Sequence, residues 1–358
     1  MYKVLITGDG IAGLTLAWTL EQRGADVTLI ADPSGARATT AAAGVINPVT
    51  GKRYVKSRRY ETFFAAAQNF YQALEQCFGA EIWRERPIVR MLGSAAEANT
   101  WSQRAGTPEY SPFVQDAADA GAWAPFLQPE HYLGRIEQSA QVDFAKITET
   151  LLRYFKNRNA LFSERLEYDQ AERLAARYDA IVFCEGAAAA GNPFFPGIPW
   201  APAKGEGLLV EFQDEGLNKL LRESESDHTI PMLKKNVLIA APHYRWNGLC
   251  WVGATYSWTY SDALPSPEGA AELTQALKNM IKTPFMVRGH FSGVRQVATD
   301  RNPVLGVSPV FPRFYLFNGL GSKGGLLAPY WAAQLAAHLL DGTPLEPEAN
   351  LSRFVPDR

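Results

Sequence analysis

Apolar positions along this 358-residue chain follow two periods, one of strands and one of helices. Lys3-Val4-Leu5-Ile6-Thr7 is a short continuous apolar run, the pattern of a strand covered on both faces. Leu14 to Arg23 keeps helical spacing, and Val27-Thr28-Leu29-Ile30 reads as a second buried strand. Between Arg59 and Phe78, Tyr60, Phe63, Phe64, Phe70, Tyr71 and Leu74 recur at helical spacing and predict one amphipathic helix. Further along, Pro87 to Leu92 predicts a strand stopped by Gly93. Ser94 to Arg104 predicts a helix with Ser94 as its cap, and Phe144 to Asn157 another helix. Tyr178 to Phe183 is a strand signal running into Cys184-Glu185-Gly186. Leu326 to Leu340 is the most apolar late stretch. Pro329, Gln334 and His338 interrupt it and it is too short for a bilayer, so a buried helix is expected.

The intervening segments set the organisation. Residues 105–130, rich in Pro, Ala, Asp and Gly, are expected to be loops or short helices, and the proline-dense Pro193 to Pro202 to cross between domains. From Gly205 to Gly253 the character changes to short β-like runs (Gly207 to Phe212, Val237 to Ala241, Leu249 to Val252), followed by a helix from Pro267 to Ile281. Nucleotide-type signals at both ends and in the middle predict an α/β protein, α+β overall. A discontinuous Rossmann-like domain of residues 1–84, 136–203 and 291–358 would enclose an inserted antiparallel-sheet substrate domain of residues 85–135 and 204–290.

The strand-turn-helix at the start carries the sharpest chemistry. Gly8 makes the tight turn, Gly10 lets backbone approach a phosphate, and Gly13 lets the helix close on the strand. The N-terminus of the helix that follows would offer N–H groups and partial positive charge to a dinucleotide pyrophosphate. A bare glycine triplet means little; one flanked by strand, helix and second strand argues for a dinucleotide.

Composition narrows the rest. A hydrophobic fraction of 47% with 20% charged residues is that of a water-soluble globular protein, and a formal charge of −2 gives no global field for nucleic acid. Cys77, Cys184 and Cys250 are too sparse and too odd in number for a disulfide framework, so a cytoplasmic protein is expected, with no membrane partner. The N-terminus enters a core strand at once, leaving no room for a signal peptide. His131, His228, His243, His290 and His338 show no ligand spacing, so no metal is expected. The basic cluster Lys52, Arg53, Lys56, Arg58 and Arg59 reads first as a solvated helix entry and only second as a grip on tRNA phosphates.

Four segments together carry a resemblance: the first glycine loop; Ala38 to Pro48, rich in small residues; Asp179 to Gly186; and Gly293-Val294-Arg295, with Asp300 to Gly306 and the loop Asn318 to Pro329. The chain resembles, over essentially its whole length, the D-amino-acid-oxidase and glycine-oxidase (DAO) family of FAD-dependent oxidoreductases. Its flavour is closest to the FAD oxidase domain of the bifunctional tRNA wobble-uridine modification enzyme, which shares an alanine-aspartate pair after the second strand and a Leu-Gly-Ser-basic-Gly loop.

The resemblance implies non-covalent FAD. No cysteine lies between Gly293 and Asp300, where one branch tethers its flavin. It implies cofactor contacts from Gly8, Gly10, Ile11, Ala12, Gly13, Thr40, Ala42, Ala43, Gly44, Leu166, Cys184, Gly186, Gly319, Gly321, Ser322, Lys323, Gly324, Gly325 and Leu326. The ribose-holding acid of the second strand would fall at Ala31, with Asp32 next door. The helix starting near Leu326, with Lys323, would stabilise negative charge on the reduced flavin. Arg295 would hold a substrate carboxylate in two parallel hydrogen bonds, against the alternative of a structural pair with Asp300. Asn47, Tyr244, Tyr256 and Trp258 are candidates for the pocket wall.

The implied reaction is oxidation of a C–N bond in an amino acid or secondary amine. Hydride passes to flavin N5, water hydrolyses the imine, and oxygen or another acceptor takes the electrons. The alternatives are removal of a carboxymethyl group from a tRNA wobble uridine, or a non-catalytic FAD-binding redox sensor.

Overall fold

The computed structural model describes residues 1–33, 37–51, 53–117, 119–129, 132–240 and 248–354. Lys52, His131, His243 and Tyr244 fall outside the described residues, as does the last residue of the strand expected over Val237 to Ala241.

Two large sheets face each other. The first has six strands in the order Leu161–Phe162, Asp26–Ile30, Lys3–Thr7, Ala180–Phe183, Phe314–Asn318 and Val304–Val307. Its pairings are parallel except for the edge strand Val304–Val307. Val4 and Ile6 point into one core with helices Ile11–Gln22 and Gly324–Asp341, whereas Leu5, Ile181 and Phe183 point into another with Phe194, Phe195 and Phe314. Burial on both faces is why these strands are apolar runs rather than alternating ones.

The second sheet has eight strands: Phe285–Arg295, Ala203–Phe212, Cys250–Gly253, Leu238–Ala240, Met232–Lys234, Ile88–Leu92, Tyr132–Ile136 and Val114–Ala117, in that order. One face is a closed core: Leu208, Val210, Val252, Ile239, Leu233 and Val89 pack on the helices Glu215–Glu223 and Pro267–Lys278. The opposite phase, Leu209, Trp251, Leu238 and Met232 among it, joins the large core that also holds Val4 and Ile6. The Phe285–Arg295 strand runs unbroken through position 291.

Sequence periodicity located most helices closely. Tyr60–Phe78 buries Tyr60, Phe63, Ala67, Tyr71 and Leu74 on one stripe and ends at Gly79 in the left-handed region. Phe144–Asn157 is capped by Asp143, whose carboxylate accepts from Lys146 N at 2.8 Å. Ser94 caps Ala95–Ala105 by accepting from Glu97 N. Two helices start earlier than expected, at Ile11 and Gly324, because glycines occupy their first turns without breaking them. Val114–Ala117 is a strand inside the segment expected to be loops; it is an edge strand held by Tyr132–Ile136 and has little apolar pattern of its own.

Candidate functional site

A single cleft of about 690 Å³ runs between the two sheets and joins the first glycine turn to the Gly321–Leu326 loop. Its glycines are sterically fixed. A Cβ at Gly13 would lie 1.8 Å from the Gly8 carbonyl oxygen, and one at Gly8 would lie 2.3 Å from that of Cys184. The Ile11–Gln22 helix therefore sits hard against the strand ends. Gly44, at φ +72°, crosses Val142 so closely that a Cβ would fall 1.9 Å from its carbonyl oxygen. A Cβ at Gly324 would come within 2.9 Å of Ile11 Cγ2, so the Ile11–Gln22 and Gly324–Asp341 helices start side by side on the cleft wall.

Two converging helix N-termini place positive partial charge along one wall. Ile11 N–H is already bonded to Thr39 Oγ1 at 3.0 Å, so an anion there would meet the remaining first-turn donors, Ala12 among them. Beside the other helix, a single 3₁₀ turn over Gly321–Lys323 leads into Gly324. Lys323 lines the cleft while its ammonium donates to Ser57 Oγ at 3.0 Å. Burial lowers its pKa, with Arg301 adding to the effect.

Most of the expected cofactor contacts lie on the lining: Gly8, Gly10, Ile11, Ala12, Asp32, Ala42, Ala43, Gly44, Leu166, Cys184, Gly186, Gly321, Ser322, Lys323, Gly324, Gly325 and Leu326. Gly13, Ala31, Thr40 and Gly319 lie behind or beside it. Ala31 is buried, and Thr40 turns outward to donate to Arg37 O. The acid on the cleft wall after the second strand is thus Asp32. Of the pocket-wall candidates, Asn47 is on the lining; Tyr256 and Trp258 stand exposed beyond it, 5.1 Å apart as a ring pair.

Arg295 lies on the roof, the cleft-facing side of the eight-stranded sheet. Its guanidinium sits against Gly205, where a Cβ would fall 2.0 Å from one of its nitrogens. It donates to Thr255 O and stacks 4.9 Å from the Tyr256 ring centroid. Among the described residues no carboxylate pairs with it. Asp300 instead binds Arg353 at 2.8 Å, so the structural-pair alternative does not hold. Burial lowers the Arg295 pKa, as it must for a cation lacking a counter-ion.

Sequence reasoning missed several lining groups. Asp9 pairs with Arg37 at 2.7 Å while its Oδ2 stays unpartnered. Gln296 is buried with both amide atoms unpartnered, as is Nδ2 of the expected Asn47. Trp251 Nε1 donates to Ala41 O at 3.1 Å, tying roof to floor. Lys234 enters from the third strand beyond Gly205's. The repeated small residues of Gly205-Glu206-Gly207, in phase with the cleft, were the available signal for the roof. Unpartnered buried polar atoms on a long glycine-lined cleft fit an extended polar ligand such as FAD.

Three residues of the basic cluster after Pro48 are ion-paired locally. Lys56 pairs with Glu61, Arg58 with Glu348, and Arg59 with Glu346 and Glu348. Among the described residues no His/Cys/Asp/Glu group could hold a metal, and no helix is long and apolar enough to cross a membrane. Cys184 and Cys250 are buried free thiols.

Residues 3–339 match the family model described as FAD dependent oxidoreductase, DAO. The chain is 25% identical to glycine oxidase of Pseudomonas aeruginosa, over 99% of this chain and 98% of that one. It is 26% identical to the tRNA 5-methylaminomethyl-2-thiouridine biosynthesis bifunctional protein MnmC of Maricaulis maris, over 99% of this chain but 55% of that protein. Iminodiacetate oxidase from Chelativorans sp. BNC1 has a similar fold, with a TM-score of 0.75 at 22% identity, covering 99% of this chain and 98% of that one.

Proposed function

The chain belongs to the DAO family of FAD-dependent oxidoreductases, and from that premise we propose that it oxidises the C–N bond of a small amine carrying a carboxylate on the reacting carbon. The observation that carries this reading is Arg295: a half-buried guanidinium on the cleft roof with no acid of its own among the described residues. Its planar donor fork suits a carboxylate, and Tyr256 stacked on it limits its orientations. Glycine oxidase and iminodiacetate oxidase both take, by name, amines of this kind, which supports the reading without fixing the substrate.

FAD, when bound, supplies the two-electron acceptor. Gly8, Gly10 and the Ile11–Gln22 helix end would hold its phosphates, Asp32 the adenosine side, and the Gly321–Gly325 turn its reducible end. The chain's own contribution is positional. Arg295 fixes the carboxylate, the glycine-paved roof lets substrate lie flat, and the Gln296 amide and Asn47 Nδ2 are left unpartnered for polar ligand atoms. The helix end at Gly324 and Lys323 adds positive potential where charge accumulates.

Purified protein should be yellow and release FAD on denaturation. Anaerobic mixing with glycine, sarcosine and other N-substituted glycines should bleach the flavin. Arg295→Ala should leave FAD content unchanged and weaken substrate binding by roughly 2–5 kcal/mol, as expected when a buried charge pair loses one partner. Unchanged apparent affinity would remove Arg295 from this role. The likeness to MnmC favours a second reading, oxidation at a tRNA wobble uridine, although acids already pair with Lys56, Arg58 and Arg59 of the basic cluster. Nucleoside mass spectrometry of a deletion strain decides it: an unaltered wobble-uridine profile rejects that substrate.

A further inference from the structure

The roof carries more positive charge into the cleft than one carboxylate requires. Strand register aligns Phe291, Gly207, Gly253, Leu238, Lys234 and Arg90 in one row across adjacent strands. Their sequence neighbours Leu208, Val252, Ile239, Leu233 and Val89 all point into the opposite core. Side chains alternate along a strand, so Lys234 faces the cleft, and it is on the lining.

Among the described residues the Lys234 ammonium has no hydrogen-bond acceptor and no carboxylate. The charged group nearest in register is a second cation. Arg90 stacks 5.5 Å from the Tyr54 ring and donates to the Lys235 carbonyl oxygen, with no acid of its own among the described residues. An ammonium kept on a low-dielectric wall without a counter-ion is costly. The structure keeps this one on the wall of its ligand cleft.

Arg295 and Lys234 do not serve the same anion. The Arg295 guanidinium rests on Gly205, and Lys234 stands three strands away and two residues along the register. At about 4.8 Å per strand and 3.3 Å per residue, Gly205 and Lys234 lie about 16 Å apart along the sheet.

The geometry points to a substrate with two acidic groups: the carboxylate beside the reacting carbon, held by Arg295, and a second anion on the other arm of the amine, held by Lys234 with Arg90 behind it. This rests on the amine-oxidising reading above and adds to it the substrate class and a specificity-determining residue. The second anion could be a carboxylate or a phosphonate-like group; the chemistry that Lys234 recognises is shared.

The test uses flavin-loaded protein and two matched series. The first consists of N-substituted glycines whose second arm, of increasing length, ends in methyl, carboxylate or phosphonate. The second replaces the amine nitrogen by sulfur, giving ligands read by the flavin difference spectrum rather than by turnover. At one arm length, acid-ended ligands should bind about tenfold or more tightly than methyl-ended ones. Lys234→Met should erase that advantage and leave methyl-ended ligands unchanged, and Lys234→Arg should keep part of it. The inference is overturned if no arm length gains from a second acid, or if Lys234→Met weakens both kinds alike. Should the thioethers show the gain while no amine bleaches the flavin, the amine-oxidising reading fails and the assignment of Lys234 as an anion anchor stands.

Discussion

The two sheets that enclose the cleft solve different problems. The floor, the largely parallel sheet, is buried on both faces and meets the cleft only at its strand ends, where glycines stand because any Cβ would strike backbone. The roof packs one face on its helices, and its other face, though much of it joins the large core, also presents glycines, an indole and cations to the cleft. Steric exclusion by backbone is all-or-none, whereas a charge on an open wall acts in proportion to what it meets. The floor should therefore decide whether a cofactor binds at all, and the roof which substrate follows it.

The strongest break of that contrast is on the floor. Gly13→Val places atoms where the Gly8 carbonyl oxygen now lies, and that oxygen cannot retreat because Gly8 is itself pressed on Cys184. The variant should lose flavin altogether, seen as a colourless protein with no FAD released on denaturation. A Gly13→Val protein that keeps stoichiometric FAD would show the floor to be adaptable.

Next in size is the roof's hidden side. Glu206 accepts from Ser266 N at 2.9 Å and Ser266 Oγ at 2.7 Å and pairs with Lys204 at 3.1 Å, with His290 Nε2 2.8 Å away. Burial raises its pKa, but Ser266 and Lys204 outweigh this and hold the carboxyl below its ordinary value. Glu206→Gln leaves the buried Lys204 ammonium uncompensated and should cost about 3–5 kcal/mol in denaturant unfolding. Flavin content per folded molecule should be unchanged. If flavin falls in step with stability, roof and floor unfold as one unit and the division of labour is lost.

What was legible in the sequence follows the same division. Glycines at fixed intervals, set at Gly8 and Gly13 by backbone that a Cβ would strike, let Gly8, Gly10, Gly13 and the Gly319–Gly325 run be read directly. Buried floor strands announce themselves as apolar runs, and Tyr60–Phe78 and Phe144–Asn157 by their stripes. The roof was seen only as scattered β-like runs. Its longest strand, Phe285–Arg295, is half-buried or exposed over nearly all its length and lacks a clean alternation. Lys234 was invisible because one lysine in a three-residue strand has no pattern; only the register across neighbouring strands shows where it points. Arg295 was named through a family likeness, but the room for its guanidinium comes from Gly205 on the adjacent strand, a pairing no local motif encodes.

The smallest effect, and the one most specific to the roof, is a change of slope with pH. Burial first, and then Arg90, push the Lys234 ammonium from its ordinary 10.5 down to about 8. Arg90 is the cation that faces it, and burial pushes the phenol of Tyr54, beyond Arg90, up. In the unfolded chain a lysine holds its proton to about pH 10.4. From about pH 8 to 10.4 the unfolded state thus binds more protons than the folded one, and this residue makes stability rise with pH. Below about pH 8 both states are protonated and the full cost of the confined charge is paid. Lys234→Met removes that cost, so the variant should be more stable than the parent at neutral pH, with the gap closing as pH climbs through 8 toward 10. Thiols and phenols titrate in both proteins and cancel in the difference between their urea-unfolding free energies. A gap that is flat with pH would mean the Lys234 ammonium is solvated like any surface lysine, and the roof would then have one anchoring cation rather than two.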